Sequence, residues 1–255
     1  MTTPDLVQSE ERIVKGPEEP SRWERPALAS GLLFVAVQIA TTVFTAVFFA
    51  TTHPTMDASP AEAARGFAEN APMVAIGTYL YVLQLPFWLL FLGGLFCVLR
   101  RAEGGGGALA ISVVGAGVAM AVIASMGALV SALAPTIAQL GGDAATVKAI
   151  DGMTPLALAL SAFPRALLLG ATSAVLLEAR LAPRWIGWSG LALGLVSFVS
   201  TSTLVTPVLF PFLALGTLLF VVWVAALTFA LLRSPRTKGR IPKRTYHGVV
   251  PATET

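Results

Sequence analysis

Residues 73–99 read MVAIGTYLYVLQLPFWLLFLGGLFCVL, a run of 27 positions without one charged side chain. As an α-helix at 1.5 Å per residue, such a run is roughly 40 Å long, more than the ~30 Å hydrocarbon core of a bilayer. Lipid offers nothing to backbone N–H and C=O groups, so a segment that lives there must close its own hydrogen bonds, which a helix does. The run stops at Arg100 and Arg101, and Gly104 to Gly107 follow as a turn. That glycine run lacks the Lys-Ser/Thr ending of a phosphate-binding loop.

Five further stretches of the same kind flank it, at 27–50, 108–138, 156–177, 186–204 and 212–232. Composition agrees: 55% of the 255 residues are hydrophobic, 12% are charged and the mean hydropathy is +0.76. About a quarter of the residues of a soluble domain are charged. The sequence therefore predicts an all-α, polytopic transmembrane helical bundle of six spans over 27–233. A cytoplasmic tail precedes it at 1–26, and a basic, disordered cytoplasmic tail follows at 234–255. The first stretch exceeds the length of a signal-peptide core and is read as a retained helix. Thr154-Pro155 reads as the start of the fourth span, and Ser59-Pro60-Ala61-Glu62 as a capping box opening a short surface helix that Asn70 ends in a left-handed cap.

Fourteen of the seventeen Lys and Arg residues fall in the N-terminal tail, the turn at 100–101, the turn at 180–184 and the stretch from Arg233 onward. The positive-inside rule then expects both chain ends in the cytoplasm of a bacterium, with the protein multi-pass in the inner membrane. Trp23, Trp185 and Trp188 sit at that same boundary, where indoles anchor. The tail charge at Arg236, Lys238, Arg240, Lys243 and Arg244 is expected to attract anionic lipids, and no nucleic acid is expected as a partner. Cys97, the single cysteine, excludes an internal disulfide and is expected to be buried.

A shift of 78 positions lays Pro86 on Pro164 and Leu99 on Leu177. Each segment ends in a basic turn followed by a glycine-rich span, so the pattern reads as a parallel duplication of a helical hairpin and not as an inverted repeat. Each proline lies about fourteen residues from the cytoplasmic end of its span, roughly 21 Å along the helix and near mid-depth. Pro86 and Pro164 are expected to kink their spans, freeing the carbonyls of Val82 and Leu160. The small residues Ser112, Gly115, Ala119, Gly127 and Ser131 suggest that the third span is central.

Arg165 is the one charged residue deep within a span. A cation there costs about 2.5–3.5 kcal/mol on insertion scales and should face the bundle interior, not lipid. No acid lies at its depth. Gln84, Gln38 and Tyr81, with Tyr79 and the Leu160 carbonyl, are the polar groups expected near it. Arg165, Gln84, Gln38 and Tyr81 form the candidate ligand-binding set; the competing reading has Arg165 merely tying helices together or reaching toward Asp151. Glu178 is expected to pair locally with Arg180 or Arg184.

Chemistry-bearing motifs are sparse. Gly187-Trp188-Ser189-Gly190 has the form found around the nucleophile of intramembrane serine proteases, but His53 and His247 both lie outside the spans, so no base is on hand. No cluster has metal-ligand spacing. No cofactor and no enzymatic activity are expected. The six spans, the basic turn after the second and the segment LAPRWIGWSGLALG at 181–194 resemble a group of uncharacterised bacterial membrane proteins, common in actinobacteria, known as a domain of unknown function. The resemblance implies a fold and an inner-membrane location, and no catalytic residues. The function expected first is a non-enzymatic membrane subunit, scaffold or regulator, with a membrane-protein partner or a second copy of the chain. The alternative is a carrier or binding protein for a small anionic or lipidic ligand that uses Arg165.

Overall fold

The computed structural model of the protein describes residues 22–51, 58–104, 106–206 and 210–234. The tails at 1–21 and 235–255, with the tail charges expected to meet lipid, lie outside these residues, as does His53. Among the described residues the chain is an all-α bundle: α1 (Glu24–Thr51), α2 (Pro60–Glu69), α3 (Ala71–Glu103), α4 (Ala108–Gln139), α5 (Ala144–Ala179), α6 (Arg184–Ser200), a 3-10 turn (Thr201–Leu204) and α7 (Phe210–Arg233). Six segments are long and apolar enough to cross a bilayer. The protein is a multi-pass helical membrane protein.

The spans close a ring in which α1 meets α3, α3 meets α4, α4 meets α5, α5 meets α6, and α7 meets both α6 and α1. One end of the ring, here the basic end, carries Glu24, Arg100, Arg101, Arg180, Arg184 and Arg233; the far end carries α2 and the α4–α5 turn. At the basic end both guanidinium Nη atoms of Arg101 donate to the buried Glu24 carboxylate, at 3.2 and 2.8 Å, pinning the start of α1 to the close of α3. The backbone N–H groups of Leu109 and Ala110 donate to the Glu103 carboxylate, both at 3.1 Å, so the last residue of α3 caps the first turn of α4.

The hydrophobic core occupies the basic half. Leu28 and Phe34 of α1, Trp88 to Leu99 of α3, Ala110 to Ala121 of α4, Leu168 to Leu176 of α5 and Phe220 to Leu231 of α7 contribute to one cluster. Two small clusters serve the far half: Phe67, Val74, Ala134 and Val147 under α2, and Ala159, Ala162 and Leu213 between α5 and α7.

Several local expectations are corrected. The fourth span does not start at Thr154-Pro155, because α5 runs unbroken from Ala144, N-capped by Asp143, which accepts from the Thr146 N–H at 3.0 Å. Pro155 deletes one backbone bond, whereas the added turns bury Val147 completely beneath α2. Asn70 is not left-handed (φ −109°); its side-chain amide donates to the Gly66 carbonyl while its own carbonyl accepts from Met73 and Val74, joining α2 directly to α3. The capping box itself is present, with Ser59 and Glu62 each satisfying the other's backbone N–H.

The central span is α5, 56% buried, and not α4, 33% buried. Gly115 and Ala119 face outward, while Ala110, Val113, Ala116 and Gly117 form the inward stripe of α4. Cys97 is exposed. Glu178 is exposed and makes no ion pair among the described residues. Both hairpins of the proposed duplication, α3–α4 and α5–α6, turn at the basic end, and Pro86 and Pro164 sit inside continuous helices.

Candidate functional site

The interior face of α5 presents Ser161 and Arg165, one helical turn apart, where an apolar span would place a leucine. Arg165 is 2% exposed. Its Nη1 donates to the Thr217 hydroxyl of α7 at 2.7 Å. That hydroxyl donates its own proton to the Leu213 carbonyl at 2.9 Å, which leaves its lone pairs to accept from the guanidinium. The guanidinium carbon lies 6.0 Å from the Phe220 ring centroid, one turn along α7 from Thr217, within the range of a cation–π contact.

Nε and Nη2 of Arg165 are buried and make no hydrogen bond among the described residues. These two N–H groups share one edge of the guanidinium, the side-on fork that meets a carboxylate or phosphate through two parallel hydrogen bonds. Every described Asp and Glu lies toward a helix end or in a connection, so no described carboxylate fills the fork.

The α3 wall carries the complementary groups. Tyr81 stands one turn from Gln84 on the same helical face and is half-buried. Trp88 packs edge-on against Phe220, centroids 5.9 Å apart. Gln84 lies between Tyr81 and Trp88 on the same helical face, is 3% exposed, and its Oε1 has no hydrogen-bond partner among the described residues. On α6 the buried Ser197 hydroxyl is likewise unpartnered. Counted at 1.5 Å per residue from Ala179, Arg100, Arg233 and Arg184 at the basic end, Arg165, Gln84, Thr217 and Ser197 all fall roughly 20–24 Å in. They form one polar layer.

Three of the four candidate residues therefore lie on interior-facing positions, Arg165 and Gln84 buried and Tyr81 half-buried. Gln38 stands apart: its amide donates to Thr42, one turn on along α1, at 3.3 Å. The recorded partner of Arg165 is Thr217 and not the Leu160 carbonyl, and Asp151 instead faces Lys148 at 3.8 Å. Tyr79 is 65% exposed and points away from the interior. Sequence reasoning missed Thr217, Phe220 and Ser197. A hydroxyl one turn before an aromatic, counted to the depth of Arg165 from Arg233, was the available signal for the first two.

The Gly-x-Ser-Gly segment has a packing explanation. The Ser189 hydroxyl donates to the Ile186 carbonyl of its own helix at 3.1 Å. Gly190 lies against the Ser173 hydroxyl and the Trp223 indole, and Gly187 against Leu177, so both glycines let α6 approach its neighbours. Among the described residues no group of three His, Cys, Asp or Glu could hold a metal ion.

The chain matches no protein-family model, no curated protein and no solved structure.

Proposed function

We propose that this protein is a non-enzymatic carrier or binding protein of the bacterial inner membrane for a small anionic or lipidic ligand, with both chain ends cytoplasmic and Arg165 as the anion-binding group. One observation carries the reading: the side-on edge of a buried guanidinium, Nε and Nη2, belongs to a group held in place by Thr217 and has no hydrogen-bond partner among the described residues. An isolated charge in a bundle interior is costly, and cations so placed pair with acids, backbone carbonyls or ligands. The collected Arg residues of the basic end support a cytoplasmic orientation, and the resemblance at 181–194 supports a bacterial inner membrane.

The chemistry of the fork selects a carboxylate or a phosphate-type oxyanion, whether from a free solute or from a lipid headgroup. Binding of acetate and of inorganic phosphate to the purified protein, in nanodiscs of phosphatidylcholine, tests the solute arm. Mass spectrometry of phosphatidylglycerol retained through purification tests the lipid arm. At least one of the three should bind saturably, about tenfold more weakly to Arg165→Lys, which keeps the charge and loses the fork, and not at all to Arg165→Met. No saturable binding of any of them, or binding unchanged in Arg165→Met, overturns the reading.

A second reading, the membrane subunit or scaffold expected first from sequence, is favoured by a different feature. Between α5 and α6 an outward-facing groove of ≈ 460 Å³ has Gly170 and Gly194 in its floor and Phe163 and Phe198 on its flanks, shaped for an approaching apolar helix. Co-purification of a stoichiometric membrane protein or of a second copy in mild detergent, lost in Gly170→Leu, is the result this reading requires.

A further inference from the structure

Resting on the reading of Arg165 as an anion site, we infer that the anion reaches it from the far end of the bundle, through the outer part of the α5–α6–α7 interface, while the basic half stays shut.

The two sides of the polar layer differ in what fills them. Toward the basic end the next interior side chains are Leu168, Leu169, Phe220 and Trp88, with Leu92 and Val224 behind them, each 3% exposed or less. These are large, interlocked and apolar. The Trp88 indole N–H donates to the Gly117 carbonyl at 3.0 Å, fixing its ring across the α3–α4 contact, and the Trp223 indole does the same to the Ile186 carbonyl at 2.9 Å across α6–α7. Opening a route there means displacing bolted rings from a close-packed core.

Toward the far end the interior of the same three helices is made of Ala159, Ala162 and Leu213, so two of its three buried apolar positions carry a single methyl group. Ser161 accompanies them on α5, and the buried Thr203 hydroxyl, in the 3-10 turn that follows α6, has no partner among the described residues. Thr203 and Ser197 are thus unpartnered hydroxyls at the far end and at the level of Arg165, on the two sides of that alanine-lined stretch. Such hydroxyls can replace the water that a desolvating anion sheds, and the two comparable ones on the basic side, Thr172 and Ser173, lie beyond Leu168 and Leu169 along α5.

Helix sense points the same way: α3, α5 and α7, which supply Gln84, Arg165 and Thr217, all begin at the far end, so the positive ends of their dipoles lie on the side from which the anion arrives. The Arg residues of the basic end would draw anions to the other mouth, but between that mouth and Arg165 stands the whole core.

Single-cysteine reporters in a Cys97→Ser background give the test, using Ser197→Cys in the layer, Thr203→Cys at the far mouth and Ser173→Cys beneath the core. Each variant is confirmed folded by its thermal unfolding midpoint, then treated with a membrane-impermeant thiol reagent in right-side-out and in inverted vesicles. The expected result is modification of Thr203→Cys and Ser197→Cys from the far side only, with Ser173→Cys unreactive from both. Acetate or phosphate, whichever binds, at ten times its Kd slows the Ser197→Cys reaction about tenfold through occupancy. Labelling of Ser197→Cys from the basic side, labelling of Ser173→Cys, or silence of Ser197→Cys on both sides overturns the inference. Binding to the solubilised protein has no sidedness, so an Arg165-dependent affinity that survives alongside a wrong-sided labelling pattern sinks the access route alone, whereas loss of that affinity sinks the site itself.

Discussion

The Trp88 indole N–H of α3 donates to the Gly117 carbonyl of α4 at 3.0 Å, in a part of the bundle where Trp88 is 1% exposed. Because the same ring stands against Phe34 at 4.8 Å and against Phe220 at 5.9 Å, one side chain couples α1, α3, α4 and α7.

Replacing Trp88 with Phe keeps part of the aromatic packing and removes the donor. The change should cost about 1–3 kcal/mol from the lost hydrogen bond, with packing loss in addition. Trp88→Ala should cost about 3–5 kcal/mol. Thermal unfolding in detergent reads both, and a Trp88→Phe protein as stable as the parent would show the indole bond to be dispensable.

Glycine substitutions should divide by what a Cβ would meet. At Gly190 it would overlap the Ser173 hydroxyl and the Trp223 indole, and at Gly31 it would come within 2.6 Å of Phe91 and of Thr228. Gly190→Ala and Gly31→Ala should each lower stability, by about 1–3 kcal/mol for overpacking. Gly115, with nothing within 4 Å of its Cβ position, should tolerate Ala and gain up to about 1 kcal/mol of helix propensity. Melting temperatures in the reverse order would show that the sites at Gly190 and Gly31 have room for a methyl group.

The ion pair at the basic end is lopsided, since the Glu24 side chain is 2% exposed and that of Arg101 38%. Removing Arg101 strands a buried carboxylate, whereas removing Glu24 leaves a cation that can turn to water. Arg101→Ala should therefore destabilise more than Glu24→Ala, with a difference of about 1–2 kcal/mol. Equal losses in the two variants, measured by thermal unfolding, would mean that Glu24 is rehydrated when its partner goes.

The spans were legible because the bilayer demands uncharged runs, and the positions of Arg100, Arg101, Arg180, Arg184 and Arg233 mark one end without reference to packing. Arg165 was legible for the same reason: a lone cation stands out against 22 apolar-rich positions at 156–177. What could not be read is which helices touch. Gln38 and Gln84 look alike in sequence, but Gln38 turns along α1 to Thr42 while Gln84 faces the interior between Tyr81 and Trp88. In lipid, outward faces are as apolar as inward ones, so periodicity loses its power to tell them apart, and the small residues of α4 misled for that reason. Pro155 misled differently, because a proline read as a helix start is tolerated within α5 when tertiary contacts bury Val147.

At α2 the Ser59 backbone N–H and hydroxyl both donate to the Glu62 carboxylate at 2.8 Å, and they hold its pKa below the ordinary value of 4.5. A depressed carboxyl contributes stability that is complete above its unfolded pKa and fades as pH falls through the lower folded value. Hydrogen exchange across 60–69, corrected for intrinsic rates, should therefore show α2 loosening as pH drops below about 4.5. Glu62→Gln should weaken protection at neutral pH and flatten this dependence. An unchanged acid profile in Glu62→Gln would assign the effect to another group.

The cost of holding Arg165 in the interior should itself be measurable. Its Nη1 is satisfied by Thr217, but Nε and Nη2 are not, and a half-satisfied buried cation destabilises a fold relative to an apolar residue of similar volume. Arg165→Met, similar in length and without charge, should raise the midpoint of thermal unfolding of the ligand-free protein, by the equivalent of about 1–4 kcal/mol. Thr217→Val should do the opposite, because it removes the one hydrogen bond the guanidinium makes among the described residues and leaves the charge in place. The parent should close the gap to Arg165→Met when its anion is added, since a ligand that binds only the folded state stabilises it by RT ln(1 + [L]/Kd), about 2.7 kcal/mol at a hundredfold excess over Kd. If Arg165→Met lowers the midpoint instead, the guanidinium is a strut between α5 and α7, and the structural reading of this residue prevails over the binding one.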